Sequence, residues 1–224
     1  HISVKNHHHG LENGVAHIRK DVSFDKAKTG FMVADPLTLY DCCPTSDGAS
    51  CVILAADHIV KQFTDDPVWI NSSAAASDYL ALHDRPSITQ LIASQMAAKK
   101  AYNMAGITAS SVDLAEVHDC FTIAELFATE DLGFATRGEG GLFSREGRGR
   151  RNEGITCINP SGGLKSKGHP LGATGTGQTV EIFKQLRGEV ESVRQVRDAE
   201  VALSHNVGGS GATCAVHVYG RDRT

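Results

Sequence analysis

The spacing of apolar positions changes several times along the chain, and each change predicts a different element. Between Ser87 and Met104, SITQLIASQMAAKKAYNM places apolar residues at helical intervals. Ser87 is a residue type that caps helix starts, and Gly106 predicts the stop. LAEVHDC (114–120) predicts a short strand ending on polar residues, and FTIAELFATEDL a second helix directly after it. TGQTVEIFKQLRGE predicts a third helix, followed by two apolar runs, AEVALSHN and ATCAVHVYG, joined by the glycine-rich turn VGGSG. Upstream, residues 51–56 read as a buried strand after the turn cluster PTSDG, and VWINSSAAA (68–76) as another strand. Residues 1–35 lack a sustained period and read as loop-like with one short helix. Residues 133–154 read as a glycine- and charge-rich excursion. Strands alternating with helices predict an α/β layered domain that takes its ligands at the strand ends.

Composition narrows the class. The 224 residues are enough for one large domain or a domain plus part of another, and 41% hydrophobic with 21% charged residues describes an ordinary globular chain. A formal net charge of -4 offers no field for nucleic acid or an anionic membrane. No apolar run reaches the roughly 20 residues of a bilayer span, and HISVKNHHHG has no signal-peptide character, so the expectation is cytoplasmic. The six cysteines then read as reduced thiols. The first residue is His1 rather than Met, which fits a chain that begins partway through a gene product. His7, His8 and His9 lack companion ligands, so no metal site is expected.

Three segments carry candidate chemistry. In VHDCF (117–121), His118 and Cys120 stand two positions apart between a strand and a helix. A thiol near a helix N-terminus can have its pKa lowered and serve as nucleophile or proton shuttle; a buried cysteine beside a capping aspartate fits equally well. In NPSGGLKSKGHPLGATGTG (159–177), glycines surround His169, which Pro170 holds on a constrained loop. This segment lacks P-loop spacing, leaving a ligand loop or a structural turn. SHNVGGSGA (204–212) ends an apolar run on His205 and Asn206, as a site or as a plain hairpin turn. The basic run REGRGRR (145–151) is a solvated loop or a phosphate contact.

Together these segments resemble the thiolase superfamily, with GHPLGATG the most specific match. VHDCF is similar to the second active-site loop of archaeal and sterol-carrier-protein-type thiolases, where other members carry Asn-Glu-Ala-Phe. YDCCPTSDGA (40–49) resembles the segment leading to the last strand of the N-terminal thiolase domain, near the coenzyme A site. Many thiolases end on Cys-x-Gly-Gly-Gly-x-Gly with an acid/base cysteine. This chain instead reads His205-Asn206-Val207-Gly208-Gly209-Ser210-Gly211.

The resemblance implies a thiolase-like fold: a layered α-β-α C-terminal domain with a mixed five-stranded sheet over 66–224, the end of the N-terminal domain over 36–65, and the end of a loop region over 1–35. It implies Claisen condensation of two acetyl-CoA or the reverse thiolysis, with the nucleophilic cysteine upstream of residue 1. Cys120 then shuttles the proton, His118 and His169 serve the first oxyanion site, and a backbone N–H near Gly208 serves the second. His205 is a catalytic candidate without a defined role, and Cys43 and Phe121 are placed at the coenzyme A site. Coenzyme A thioester is substrate, and no further cofactor is implied. Implied partners are the upstream half, a second copy of the chain, an OB-fold/zinc-ribbon acyl-CoA-binding protein and hydroxymethylglutaryl-CoA synthase. A thiolase-fold aldolase of β-hydroxyacyl-CoA and a non-catalytic scaffold subunit are the alternatives.

Overall fold

A computed structural model describes residues 1–224. Helices are α1 (Ile2–Gly10), α2 (Phe24–Lys28), α3 (Asp57–Val60), α4 (Ile92–Ala105), α5 (Thr122–Asp131), α6 (Gly140–Arg145), α7 (Gly163–Ser166) and α8 (Thr174–Leu186). Strands are β1 (Met32–Ala34), β2 (Leu37–Thr38), β3 (Trp69–Ser77), β4 (Leu114–Glu116), β5 (Cys157–Ile158), β6 (Val201–Gly208) and β7 (Thr213–Gly220). The main sheet has five strands in the order β3-β7-β6-β4-β5. β3, β7 and β6 pair antiparallel, whereas β6, β4 and β5 run parallel, so the sheet is mixed.

Side-chain alternation builds the layers. Ala115, Val117, Leu203, Val216 and Val218 face one way, against the alanine face of α4 (Ala93, Ala97, Ala101, Ala105) and against Ala128 and Leu132 of the α5 region. Leu114, Ala202 and Tyr219 face the other way, against Ile182 and Leu186 of α8. Small residues on α4 let its axis approach the sheet closely, and burial of both faces supplies the main driving force. The result is the expected α-β-α sandwich.

Four expectations need correction. Residues 51–56 form no strand: Ile53 and Leu54 are 93% and 72% exposed, and no ladder of the sheet runs beside them. An apolar run becomes a strand only where another strand takes up its N–H and C=O groups. The N-terminal region holds two helices, not a loop with one. α1 escapes the periodicity test because its buried face is polar, with Ser3, Lys5, Asn6, His7 and His9. The excursion 133–154 contains α6. The long helix α4 begins at Ile92, and Ser87 instead accepts from the Thr89 N–H in a turn before it. Gly106 ends α4 in the left-handed region at φ 66, as read.

Candidate active site

The parallel strands β4, β5 and β6 deliver their carboxyl ends to one place, where ligands bind in layered α/β domains. β4 delivers His118, Asp119 and Cys120; β6 delivers His205 and Asn206; the loop between β5 and α8 brings His169 over them. The rings of His118 and His169 stand perpendicular with centroids 4.9 Å apart. Burial, then the neighbouring His169, lowers His118 to about 4, while a hydrogen bond to the Asn206 side chain acts in the opposite direction. Burial also lowers His169. Both rings are therefore neutral at physiological pH.

The GHP loop is held by its own glycine and by two hydroxyls. Gly168 sits at φ +114, and a Cβ there would meet the Ser46 hydroxyl at 2.9 Å. That approach lets the His169 N–H donate to Ser46 Oγ at 2.7 Å. His169 Nδ1 lies 2.7 Å from Thr174 Oγ1, which donates its proton to the Pro170 carbonyl at 3.0 Å. A hydroxyl has a single proton, so Thr174 accepts from Nδ1–H and Nε2 is left as a free acceptor. His169 and Cys43 line the same cleft of about 690 Å³, walled by residues 43–50 and 169–173.

Cys120 faces that segment. The Cys43 N–H donates to the Cys120 carbonyl at 2.9 Å, and Cys42 pairs with Phe121 as an isolated antiparallel bridge. Cys43 and Cys120 are thus opposed across a one-bridge ladder. The expectation that the helix N-terminus lowers the Cys120 pKa is overturned: burial first, then the adjacent Asp119 and Cys43, push it up to about 11. Burial raises Cys43 as well. Phe121, directly before α5, is 41% exposed.

Asp119 caps a helix, but not its own. Its carboxylate accepts from the Leu164 N–H at 2.7 Å and the Lys165 N–H at 3.2 Å, at the start of α7. A Cβ on Gly163, at φ +60, would come within 2.4 Å of this carboxylate, so the second glycine of the NPSGG run makes room for it. Asn6 of α1 donates to both Asp119 and Glu125 at 2.7 Å, and Lys5 pairs with Glu125 at 3.0 Å. Burial and Glu125 raise the Asp119 carboxyl to about 7. The network ties α1, the HDCF loop and the NPSGG loop together.

His205 is fully buried behind His118. Its Nε2 bonds Ser94 Oγ at 2.8 Å, and its Nδ1 takes a long 3.5 Å contact from the His118 N–H. Burial drives it down to about 3. It touches the His118 backbone and not the cleft. Gly208 is exposed and extended at the end of β6, opposite Thr213. Arg151 of the basic run donates to the carbonyls of His9, Pro160 and Val193, while Arg148 and Arg150 pair with Glu146 and Glu153. Those contacts are internal ones.

Asn206, next to His205 at the end of β6, donates to Gln178 Oε1 of α8 at 3.1 Å.

Comparison with known proteins decides the family. The profile of the thiolase C-terminal domain-like family matches residues 74–221, which span the whole sheet beyond the first residues of β3. The chain belongs to the thiolase family. It is 48% identical over 220 residues to an acetyl-CoA acetyltransferase of Methanothermobacter thermautotrophicus, covering 98% of this chain and 57% of that protein. It is 41% identical to sterol carrier protein 2 of Oryctolagus cuniculus, covering 94% of this chain and 39% of that one. Against these curated relatives, this thiolase chain spans about half their length or less. A solved structure described as an Ltp2-ChsH2(DUF35) aldolase superposes with a TM-score of 0.85 at 23% identity, covering 100% of this chain and 58% of that one. That likeness concerns the fold. No helix is long and apolar enough to cross a membrane.

Proposed function

We propose that this chain supplies the proton-transfer and oxyanion groups of an acyl-CoA thiolase that interconverts acetoacetyl-CoA and acetyl-CoA. The observation that carries the reading is the convergence of two neutral histidine rings, His118 and His169, beside the Cys120 loop at the strand ends. Relatives named acetyl-CoA acetyltransferase support it.

The nucleophilic cysteine lies upstream of residue 1 and takes the acyl group from coenzyme A. His169 Nε2, the free acceptor, receives the nucleophile's proton, donates a hydrogen bond with it to the developing oxyanion, and gives it to the coenzyme A sulfur as the carbonyl reforms and the C–S bond breaks. A neutral His118 donates to the same developing oxyanion. A backbone N–H near Gly208 serves the second acyl group. His205 acts through the His118 backbone as a positioning residue.

Cys120 moves the proton at the carbon beside the second thioester. At neutral pH it is a thiol, the form that protonates the carbanion leaving in thiolysis. In condensation the same sulfur, once deprotonated, is a stronger base than an ordinary thiolate, because its conjugate acid is weaker. Coenzyme A enters as substrate, with its thiol end arriving at the cleft that Cys43 lines; Phe121 stands outside that lining, paired with Cys42. The upstream half is the first partner this reading requires. A second copy, an OB-fold/zinc-ribbon acyl-CoA-binding protein and hydroxymethylglutaryl-CoA synthase are further candidates.

The test is iodoacetamide labelling of the full-length protein, mapped by mass spectrometry, with and without acetyl-CoA. An upstream cysteine protected by acetyl-CoA, together with thiolysis of acetoacetyl-CoA, is the expected result. Cleavage of a β-hydroxyacyl-CoA with no protected cysteine would make the protein an aldolase; neither activity would make it a scaffold.

A further inference from the structure

The β6–β7 turn is left-handed at three successive residues. β6 ends at Gly208, opposite Thr213 of β7, and between them Gly209, Ser210 and Gly211 have φ of 55°, 55° and 86°. Glycine enters that region freely, whereas the Cβ of Ser210 opposes it. Such a backbone persists only where its surroundings impose it.

The surroundings here are residues 78–85, between β3 and α4. The Asp78 N–H donates to the Ala212 carbonyl at 2.7 Å. Leu80 lies against the turn, its Cδ1 3.3 Å from where a Cβ on Gly209 would stand. Arg85, only 9% exposed, joins the two segments: Nη1 donates to the Ser210 carbonyl at 3.0 Å and Nε to the Tyr79 carbonyl at 2.8 Å. Nη2 is buried without a partner, so these two carbonyls are what the guanidinium holds. A charged donor strengthens both bonds. The planar fork also fixes their relative direction, which a single ammonium does not.

The turn in its place fixes the free end of β6. The Val201 carbonyl accepts from the Asp113 N–H just before β4, while the Glu200 carbonyl accepts from the Arg221 N–H just after β7. Backbone groups alternate in direction along a strand, so those of His205 and Val207 turn toward β4 and those of Gly208 toward β7. The His205 carbonyl agrees, since it shares the Gln178 NH2 group with the Glu116 carbonyl of β4. The ladder between β4 and β6 ends with Glu116 beside Ser204. The Val207 N–H therefore points past the end of β4, to the side where the HDCF loop leaves that strand. We infer that Arg85 is a positioning residue: by clamping Ser210 it fixes the β6–β7 turn, and with it the direction of the Val207 N–H. That this N–H serves the second thioester oxygen rests on the proposed thiolase reading; the clamp itself does not.

The test compares the full-length wild-type protein with Arg85→Met, by hydrogen exchange of the 205–212 amides and by the two half-reactions. In the variant those amides should exchange at least about 5-fold faster. Acyl-enzyme formation from acetyl-CoA should stay within about 2-fold, while kcat for thiolysis of acetoacetyl-CoA falls by about 10–100-fold, less than outright removal of an oxyanion donor costs. Adding Ser210→Gly to Arg85→Met should recover most of both changes, because glycine stays left-handed without a clamp. Unchanged exchange in a folded Arg85→Met protein would overturn the inference whatever reaction the protein catalyses. Faster exchange with unchanged thiolysis, or with equal loss of both half-reactions, would overturn the positioning role. If the wild-type protein shows no thiolysis, the thiolase reading fails and the exchange rates alone decide the clamp. Should Arg85→Met not fold, Arg85→Lys is read in the same way, since it keeps the charge and loses the fork.

Discussion

Replacing Cys120 by alanine in the full-length protein is expected to slow the carbon-carbon step by about 10²–10⁴-fold, the usual contribution of a positioned acid or base. Formation of the acyl-enzyme from acetyl-CoA should continue, because that step uses the upstream nucleophile and His169. The two half-reactions therefore separate: a burst of one acyl group per subunit persists while thiolysis fails. The high pKa of Cys120 also predicts a pH profile. In the thiolysis direction the acid form is needed, so no alkaline loss assignable to Cys120 is expected between about pH 7 and 9. Rapid-quench measurement of acyl-enzyme beside steady-state turnover checks both. Equal loss of the two half-reactions would remove Cys120 from the specific role of proton transfer.

The second large effect concerns stability. Lys5 and Glu125 are 6% and 2% exposed, and Lys5 also donates to the Ile158 carbonyl at 2.7 Å. Lys5→Met leaves Glu125 buried beside Asp119 without a cation, and breaking a buried pair from one side costs about 3–5 kcal/mol. Lys26→Met, on an exposed side chain, should stay within about 0.5 kcal/mol. The sign of the pH dependence follows from Asp119, whose folded pKa of about 7 lies above its ordinary value of 3.8. A raised acid contributes stability at low pH that is lost as pH rises toward 7. Lys5 holds that pKa down, so removing it should destabilise more at pH 8 than at pH 5. Urea midpoints at the two pH values decide the matter, with a difference below 1 kcal/mol at pH 8 counting against the network. Glu125→Gln in the Lys5→Met background should recover part of the loss.

These two effects differ in how far the sequence announces them. His118, Cys120 and His169 stand in short motifs at strand-to-helix junctions, and the structure brings those motifs together, so the place of the candidate site is legible before the fold. The sheet is legible for a similar reason, since Leu114 and Ala115, or Ala202 and Leu203, alternate between two buried faces. The support of the site is not. Asn6 and Asp119 are 113 residues apart, and nothing local in either segment shows that they meet. α1 carries no apolar stripe because its buried face makes polar bonds to other loops, and hydrophobic periodicity is blind to that kind of burial. Residues 51–56 show the opposite error. Val52, Ile53 and Leu54 have strand composition, yet a strand is defined by its neighbours.

His205 lies between these cases. It is the most reactive residue type of its motif, and nothing local shows that it is enclosed behind His118, with its ring nitrogens on Ser94 and the His118 N–H.

Thiolysis of acetoacetyl-CoA by the 224-residue chain alone, set beside the same chain joined to its upstream half, tests the division of labour most directly. The account predicts no acyl-enzyme and no turnover from the chain alone, and both from the joined protein, with turnover again lost on Cys120→Ala. A normal rate from the isolated chain would contradict it, because the nucleophile would then have to lie among residues 1–224.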